Sequence, residues 1–318
     1  MGKYLVRRLG AAFAVMLLVS IITFIALSVI PGNAALIALG TEASAASLDA
    51  VSSDLGLDQS FSSRLLSYYK GLLSLDFGTS SYFGQDVWTL ILQRLPLTVS
   101  LALLSLLAAF ILSMLLGCAA AIYRGSFIDA FSRIIVQLSA SVPSFWLSLL
   151  LLLFASRVLG FSQAGSYVSM SESIPLFLKS ISLAVIVLAV GESGPLLRIV
   201  RISMIGAMEE DWFTACQVKG LSKRKAVFSY ALRSALSAPV SLMGLQLAKL
   251  LGGTAIVESI FALPGLGRLF LTAVEMRDLN LVQGIVIFVS FAVVMMNLLT
   301  DLLLRVVINP LSASEDRK

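Results

Sequence analysis

The chain contains 318 residues, of which 58% are hydrophobic and 13% are charged, whereas a soluble domain usually carries about 25% charged residues. This composition predicts an integral membrane protein with several spans. The sequence contains no histidine, which argues against zinc chemistry and against hydrolysis by a histidine-containing triad. The formal net charge of +5 does not indicate nucleic-acid binding, because the basic residues are spread among apolar stretches.

Six apolar segments are long enough to cross a hydrocarbon core of about 30 Å, which requires about 20 helical residues. Lys3, Arg7 and Arg8 precede the first segment. Because that segment is long enough to span and has no clear cleavage site, we interpret it as a retained helix rather than a signal peptide. The six predicted spans are residues 9–30, 98–122, 134–156, 181–197, 236–257 and 281–304.

Lysine and arginine are distributed unequally over the two sides that six spans define. Fifteen lie on the side of the two termini and seven on the opposite side. Because cytoplasmic loops are enriched in basic residues, both termini are predicted to be cytoplasmic. Cys118 and Cys216 fall on or near this side, so both are predicted to be free thiols. The predicted organisation is an N-terminal segment with the first span at 1–30, an extracytoplasmic segment at 31–97, a core of five spans at 98–307 with a cytoplasmic loop at 198–235, and a cytoplasmic tail at 308–318.

The extracytoplasmic segment contains one amphipathic stretch. Leu65, Leu66, Tyr69 and Leu73 recur at helical spacing within residues 61–75. We predict a helix there that lies against the membrane surface or against other outer loops. A segment of this length usually carries a function or is disordered, although a simple connecting role stays open.

Three of the predicted spans contain a proline or an ionisable residue that is a candidate for function. Pro143 removes a backbone donor from the third span, and Phe145 and Trp146 follow it, so a kink is expected. Glu192 in the fourth span and Lys249 in the fifth are functional candidates, because an ionisable residue costs at least about 2.5 to 3.5 kcal/mol at a helix centre. The helical rise places Glu192 about 9 Å and Lys249 about 20 Å from the cytoplasmic ends of their predicted spans. An ion pair and separate positions facing a water-filled pathway both stay open.

The cytoplasmic loop predicts two short helices. Asp211 lies in the first turn of the first helix, Gly220 supplies a left-handed stop, and Ser222 caps a second, basic helix that runs to about Arg233. A pair this short, held at both ends by membrane spans, is poorly placed to enter a DNA groove. Docking on a soluble protein partner is the better interpretation.

A loop is predicted at residues 261–280, after the fifth span. Its Pro-Gly-x-Gly sequence at 264–267 favours a tight turn over a helix. The sequence leaves open whether this loop is a connector or a functional surface on the outer face.

Short sequences in order along the chain resemble the permease subunits of ABC importers, in particular the dipeptide, oligopeptide and nickel permeases. The cytoplasmic signature of the family is Glu-Ala-Ala, three further residues and Gly, which corresponds here to residues 214–216 and Gly220. Thr-Ala at this position, followed by Lys-Gly-Leu, is typical of the named branch. Other resembling segments are 4–9, 30–32, 56–58, 75–80, 94–98, 141–146, 258–268, 277–278 and 297–302.

Two departures from the family pattern bear on the subfamily and the substrate. Residues 309–311 are Asn-Pro-Leu where the family usually has Asp-Pro-Arg, and Asp278 is followed by Leu-Asn rather than by an aromatic residue and proline. The resemblance implies import of peptides or similar small solutes, with nickel or a metal chelate as the alternative. A channel that acts without ATP and a membrane enzyme are remote alternatives, and no catalytic set for an intramembrane protease is visible.

The resemblance implies an all-α integral membrane protein with six transmembrane helices, the type I ABC importer permease fold and a cytoplasmic coupling helix pair. It implies a heterodimer with a second related permease, two ATP-binding subunits and an extracytoplasmic solute-binding protein, at the bacterial cytoplasmic membrane. The chain has no Gly-x-x-x-x-Gly-Lys-Ser/Thr loop. It is therefore expected to bind no cofactor directly and to be no enzyme, while the partner ATPases use ATP and Mg²⁺.

The resemblance also suggests roles for three groups of residues. The cytoplasmic helix pair would contact the ATPase. At Pro143 the third span would be either an ordinarily packed helix or a flexing point beside the pathway. The outer loop would contact the binding protein or cover the entrance. The predicted ATPase contacts are Asp211, Thr214, Ala215, Cys216, Gly220 and Leu221; the pathway residues are Pro143, Phe145, Trp146, Glu192 and Lys249; the outer-loop residues are Glu258, Pro264, Gly265, Gly267, Arg268, Arg277 and Asp278.

Overall fold

A computed structural model describes residues 2–29, 61–74, 76–158, 160 and 165–303. Within these ranges all regular structure is helical, apart from one isolated bridge between Thr79 and Asp86. The predicted all-α class is therefore confirmed. The predicted tail and residues 31–60 of the predicted extracytoplasmic segment 31–97 lie outside the described residues, as do the resembling sequences at 30–32 and 56–58 and the departure at 309–311.

Within the described residues the chain forms a series of helices. The described helices are α1 (Gly2–Val29), α2 (Phe61–Leu73), α3 (Val87–Ile122), α4 (Phe127–Ser141), α5 (Ser144–Val158), α6 (Ile174–Glu209), α7 (Asp211–Val218), α8 (Lys223–Ala226), α9 (Leu232–Ala235), α10 (Ser237–Gly253), α11 (Ala255–Ile260), α12 (Leu266–Glu275) and α13 (Leu279–Leu303), with a π-helical turn at Val227–Ala231 between α8 and α9.

Helical elements cover all six predicted apolar segments. By length and composition α3, α6 and α13 can each cross a membrane, and two bent pairs pass the same test together: α4 with α5, and Lys223–Ala235 with α10. These give three spans, or five if each bent pair is one span. The first predicted span corresponds to a shorter apolar stretch, Gly10–Ala26, within α1.

The helices extend beyond the apolar segments that predicted them. The helix α3 begins at Val87 rather than at residue 98, and α6 continues past Leu197 to Glu209. Backbone hydrogen bonding does not require apolar side chains, so a helix continues where hydropathy falls. Arg94, Pro96 and Arg198 interrupt the apolar character of these segments without ending the helices.

The third predicted span is two helices rather than one kinked helix. The helices α4 and α5 meet at an angle of 104°. Val142 has extended backbone angles, with φ −87° and ψ 116°, and its N–H closes α4 by donating to the Leu138 carbonyl. The residue before a proline disfavours helical angles, so Pro143 produces a break that is sharper than the expected kink.

The chain divides into two compact units, the first consisting of Met1–Thr98 with Pro264–Val294 and the second of Val99–Leu263 with Met295–Lys318. In the first unit the start of α3 packs with α12 and the start of α13. The fully buried residues of this cluster include Val87, Ile91, Leu266, Ala273 and Leu281.

The amphipathic helix α2 is present at the predicted place and contacts α1. The Tyr69 hydroxyl is 2.9 Å from the Ser20 hydroxyl, and the Tyr68 ring lies 5.4 Å from the Phe24 ring. Ser20 and Phe24 are both buried. The helix therefore packs against the first predicted span within the first unit.

In the second unit α4 packs against α6 with its polar side inward. Asp129 and Ser132 are buried, whereas Phe127, Ile134 and Leu138 are more than half exposed. A soluble amphipathic helix has the opposite arrangement. An apolar outer face with polar residues turned toward the protein is typical of a helix in contact with lipid.

Candidate functional site

The segment between α6 and α10 forms a helical hairpin of residues 211–235. The helix α6 ends at Glu209, and Glu210 turns the chain with extended angles of φ −72° and ψ 146° before α7 begins at Asp211. An acidic residue in the first turn interacts favourably with the partial positive charge of a helix N-terminus. The predicted first helix is therefore present, with Asp211 at its start.

Gly220 ends α7 in the left-handed conformation that the sequence predicts. Its φ is +86°, which a residue without a Cβ adopts without steric cost. The Leu221 N–H donates to the Cys216 carbonyl at 3.1 Å, and the Gly220 N–H donates to the Gln217 carbonyl at 2.9 Å. The hydrogen bond from Leu221 to Cys216 reaches back five residues, as in a Schellman motif at the end of a helix.

The second helix of the hairpin begins at the predicted cap. The Ser222 hydroxyl accepts a hydrogen bond from the Lys225 N–H at 3.4 Å. The chain then continues through the π-helical turn Val227–Ala231 and reaches Ala235, slightly beyond the predicted end.

One side of the hairpin is fixed to the spans of the second unit. Phe213 and Val227 are buried in a cluster with Val200 and Met204 of α6, and Trp212 packs against this cluster from the edge. Cys118 of α3 belongs to the same cluster. Because the contacts involve large apolar side chains, the hairpin is expected to move together with α3 and α6 rather than independently.

The other side of α7 is open. Three of the residues predicted to contact the ATPase, Asp211, Thr214 and Ala215, are exposed, and Val218 continues the same stripe with 83% of its surface exposed. Gly220 is also exposed, whereas two of the predicted contact residues, Cys216 and Leu221, are partly buried, and Cys216 packs against the anchoring cluster.

The sequence prediction did not include Val218. The four exposed positions follow the spacing i, i+3, i+4 and i+7, which marks one face of a helix. That spacing was available in the sequence and identifies Val218 as the apolar member of the open face.

Glu192 and Lys249 meet within the second unit. The Lys249 Nζ lies 2.9 Å from Glu192 Oε1, so the ion pair that the sequence left open is present. The depths of the two residues were counted from the predicted cytoplasmic ends of their spans. Because α6 continues well past the predicted end of the fourth span, those two ends are not at the same level in the membrane. The expected difference in depth therefore does not keep the two residues apart.

The two members of this pair differ in accessibility. The Glu192 side chain is 7% exposed, whereas the Lys249 side chain is 72% exposed. Gln246, one turn before Lys249, donates from Nε2 to the Glu192 carbonyl oxygen at 2.9 Å. The sequence analysis missed Gln246. Together these contacts hold an ammonium group at an open surface of a predicted span, where it can bind an anionic group.

Pro143, Phe145 and Trp146 lie at the break between α4 and α5. Phe145 is 47% exposed and Trp146 is 49% exposed. Their rings are therefore available at the bend.

The predicted outer loop contains a helix, so its prediction as a loop was wrong over residues 266–275. Gly265 precedes α12 with extended backbone angles, and the Leu266 N–H donates to the Thr98 hydroxyl at 2.9 Å. Leu266, Leu269 and Ala273 are buried on one face of α12. Burial of this apolar face outweighs the turn tendency of Pro264 and the two glycines.

Two acidic residues of the outer-loop set are buried. Glu258 lies in α11, where it accepts a hydrogen bond from the Thr254 hydroxyl at 2.7 Å. Asp278 accepts from the Ser80 hydroxyl at 2.5 Å and from the N–H groups of Tyr82 and Leu281, each at 3.1 Å. Both side chains are fully buried, so a partner protein cannot reach them directly.

The remaining members of the outer-loop set are placed around these contacts. Arg277 has a φ of +54° and ends α12. Pro264, Gly267 and Arg277 are partly buried and Gly265 is buried, whereas Arg268 is exposed. Asp278 thus joins the segment 80–82 to the start of α13, and Arg268 is the accessible residue of the set.

The comparisons with known proteins agree with this architecture. The family described as "Binding-protein-dependent transport system inner membrane component" matches residues 113–309, and its N-terminal counterpart matches residues 1–102. A chain of the MetNI methionine ABC transporter, solved in inward facing conformations, has a TM-score of 0.53 with 18% sequence identity, over 69% of this chain and 96% of that chain. This structural likeness shows the fold.

Relatives match the chain over nearly its whole length. A protein of Brucella abortus (strain 2308) that carries the name of a peptide transport system permease is 35% identical over 303 residues, which are 95% of this chain and 96% of the relative. The glutathione transport system permease protein GsiC of Escherichia coli (strain K12) is 33% identical over 310 residues, which are 98% of each chain. The chain therefore belongs to the family of binding-protein-dependent transport system inner membrane components and is a permease subunit of an ABC importer.

Proposed function

We propose that the chain forms half of the translocation pathway of an ATP-driven importer for peptides or similar small solutes. Support for the cargo comes from the relatives, whose names specify peptide and glutathione transport. The second half of the pathway is a homologous permease, and an extracytoplasmic solute-binding protein delivers the cargo. Two ATP-binding subunits bind ATP and Mg²⁺ and carry out the hydrolysis. The chain lies in the bacterial cytoplasmic membrane with both termini in the cytoplasm.

The single observation that carries this proposal is the two-sided construction of the hairpin. Phe213 and Val227 fix one side to α3 and α6, while Thr214, Ala215 and Val218 leave the other side open. An element that contacts an ATPase and moves as a rigid body with membrane helices can transmit ATPase closure to the pathway. The open stripe is the proposed docking face for one ATP-binding subunit.

The chemistry of the open stripe suits a small protein–protein contact. Val218 supplies an apolar side chain, Ala215 allows close approach, and Asp211 supplies a charge at the edge. Interfaces commonly place a desolvated apolar residue at the centre and polar residues at the rim. Cys216 and Leu221 support this face from behind, since both are partly buried.

Within the membrane we propose that the open surface of α10 at Lys249 faces the pathway. The Lys249 side chain is 72% exposed, and its charge would be costly if it faced hydrocarbon, whereas water in a pathway solvates it. Such a group attracts carboxylates, and a peptide with a free C-terminus carries one. Pro143, Phe145 and Trp146 are proposed to form a flexing point beside the same pathway.

The test replaces Gly220 by Asp and by Asn in the reconstituted complex of permeases, ATPases and binding protein. Asp adds a charge beside the docking face, and we expect it to abolish solute-stimulated ATP hydrolysis while the chain stays in the membrane. Asn adopts the left-handed conformation more readily than most residues, so Gly220→Asn is the matched control and should retain most of the stimulation. Unchanged stimulation in Gly220→Asp would remove the coupling role.

The cargo is tested on the binding protein that co-purifies with the complex. Its affinities for a panel of di- and oligopeptides, glutathione and nickel chelates are measured by calorimetry. Preference for peptides supports the proposal, whereas preference for the nickel chelates selects the alternative that the sequence resemblance leaves open.

A further inference from the structure

A groove lies between the end of α3 and the second helix of the hairpin. Its volume is about 790 Å³, which is within the range of cavities that hold small ligands. One wall is the last turns of α3, from Met114 to Tyr123, and the other wall extends from Lys223 to Leu232. All of these residues belong to the second unit, so the groove is formed within one compact body.

The groove is apolar at one end and basic at the other. Leu115 and Ile122 line the part that belongs to the membrane-spanning α3, and Leu115 is 68% exposed. Lys223 and Arg224 line the opposite end, and both are exposed. Among the described residues no hydrogen bond or ion pair joins either side chain to an acid of this chain. The groove therefore presents a hydrocarbon-binding wall next to two positive charges.

The position of the basic end matches the boundary between hydrocarbon and water. Tyr123 follows the last residue of α3 and lines the groove, and tyrosine is enriched at this level of a bilayer. Ser222 begins the basic helix at the same end. A ligand that fills the groove must place its apolar part beside α3 and an anionic part beside Lys223 and Arg224.

We propose that this groove binds an anionic phospholipid, with an acyl chain along Leu115, Ile122 and Phe228 and the headgroup phosphate at Lys223 and Arg224. Basic pockets between transmembrane helices on the cytoplasmic side bind anionic headgroups. A lipid fits better than a soluble anion, because a soluble anion has no hydrocarbon part to pack against the apolar wall. That wall also belongs to a helix that lies in the bilayer. Since the groove adjoins the hairpin, the bound lipid lies beside the element that contacts the ATPase.

The test uses the full chain, purified in mild detergent with the subunits that accompany it. Native mass spectrometry follows titration with phosphatidylglycerol or phosphatidylcholine. We expect one phosphatidylglycerol per chain to bind at about thirtyfold lower concentration than phosphatidylcholine, the preference that two basic residues near a membrane surface provide. Lys223→Gln with Arg224→Gln should abolish this preference.

Two further variants separate a site from general attraction. Lys219→Gln with Arg233→Gln removes the same charge from exposed positions outside the groove and should keep the thirtyfold preference. Ala119→Phe fills the apolar part of the groove without changing charge and should remove the bound lipid. Thermal unfolding of Lys223→Gln with Arg224→Gln should match that of the unchanged chain, because both side chains are exposed.

Three results would overturn the proposal. The first is equal preference in the groove variant and in its charge-matched control, which would indicate nonspecific attraction. The second is competition by sn-glycerol 3-phosphate at the same concentration as the lipid, which would indicate a site for a soluble phosphate. The third is cross-linking of the groove to a partner subunit in the assembled complex, which would show that protein fills it. None of these results depends on the cargo or on ATP hydrolysis.

Discussion

Two ion pairs of the second unit differ in whether solvent reaches the basic partner: the pair of Asp129 and Arg201 is closed, and the pair of Glu192 and Lys249 is open. Asp129 of α4 is 2% exposed and is held by Arg201 of α6, whose Nε lies 2.6 Å from Oδ1 and whose Nη2 lies 3.1 Å from Oδ2. The Gly125 N–H donates a further bond to the same carboxylate at 3.0 Å. In the pair of Glu192 and Lys249 the carboxylate is also buried, but a single contact joins it to a lysine whose side chain is 72% exposed.

This difference indicates that the pair of Asp129 and Arg201 is structural, whereas Lys249 in the other pair is available to bind a further group. A bidentate bond satisfies both carboxylate oxygens and fixes the arginine plane, so the pair of Asp129 and Arg201 fastens α4 to α6. The ammonium of Lys249 retains donors that its carboxylate partner does not use. Mutation of the closed pair should therefore reduce the amount of folded protein, whereas mutation of Lys249 in the open pair should reduce transport.

The largest effect is expected from breaking the closed pair with Arg201→Met. This change leaves a buried carboxylate without its partner, which costs about 3 to 5 kcal/mol. We expect most of the chain to be lost as aggregate, measured as the fraction that elutes as a single species in size-exclusion chromatography.

Arg198→Met is the matched control for this prediction, because Arg198 is an exposed arginine on the same helix and should elute normally. Adding Asp129→Asn to Arg201→Met removes the buried charge and should recover part of the folded chain. Normal elution of Arg201→Met alone would show that this pair does not fasten the two helices.

The next effect is expected at the close contact between α4 and α6. A Cβ added at Gly194 would lie 2.9 Å from the Ser139 Cβ and 3.3 Å from the Val136 carbonyl oxygen. Overpacking of this kind costs about 1 to 3 kcal/mol, so Gly194→Ala should lower the thermal unfolding midpoint.

Gly191→Ala on the same helix serves as the control, since a Cβ there meets nothing within 4 Å and alanine favours helix formation over glycine. Its midpoint should be unchanged or slightly higher. Ser139→Gly should partly rescue Gly194→Ala. Equal midpoints for the two alanine variants would contradict the packing shown by the structure.

The sequence predicts the helices and hairpin of this protein well, because their signals are local. An apolar run of about 20 residues marks each span, and the stop at Gly220 and the cap at Ser222 depend on single residues and their immediate neighbours. Both are confirmed. A kink at Pro143 was also predicted, but the structure has a break between two helices there, whose angle depends on the packing of α4 and α5 and could not be predicted.

The sequence is less informative where distant segments meet. Asp278 was assigned to a loop on the outer face, and nothing in the sequence indicated that it is buried against Ser80 and Tyr82, almost two hundred positions earlier. The helix α12 was missed because its glycines favour a turn locally, while its stability depends on burial against α3 and α13. Depth along a helix was likewise misjudged, so the pairing of Glu192 with Lys249 stayed open.

A selective effect on transport is expected from Lys249→Met, because this change removes a single contact of an exposed side chain rather than a bidentate bond. A hydrogen bond to a charged group contributes about 1.5 to 3 kcal/mol, so loss of a contact between this ammonium and a peptide carboxylate should reduce uptake about tenfold or more. Uptake of labelled peptides into proteoliposomes measures the effect. Leu245→Met, one turn earlier on the exposed surface of α10, should transport normally.

The double variant of Lys249→Met with Glu192→Gln distinguishes a pathway role from a purely structural one. If Lys249 only neutralises the buried Glu192, removing both charges should restore uptake, because no unpaired carboxylate remains. If the ammonium contacts cargo, the double variant should stay about as slow as Lys249→Met, while a peptide amide without its terminal carboxylate should lose little on mutation. Normal uptake of every tested solute by Lys249→Met would show that Lys249 has no role in transport. The exposure of the basic partner would then not distinguish an ion pair that acts in transport from one that only stabilises the fold.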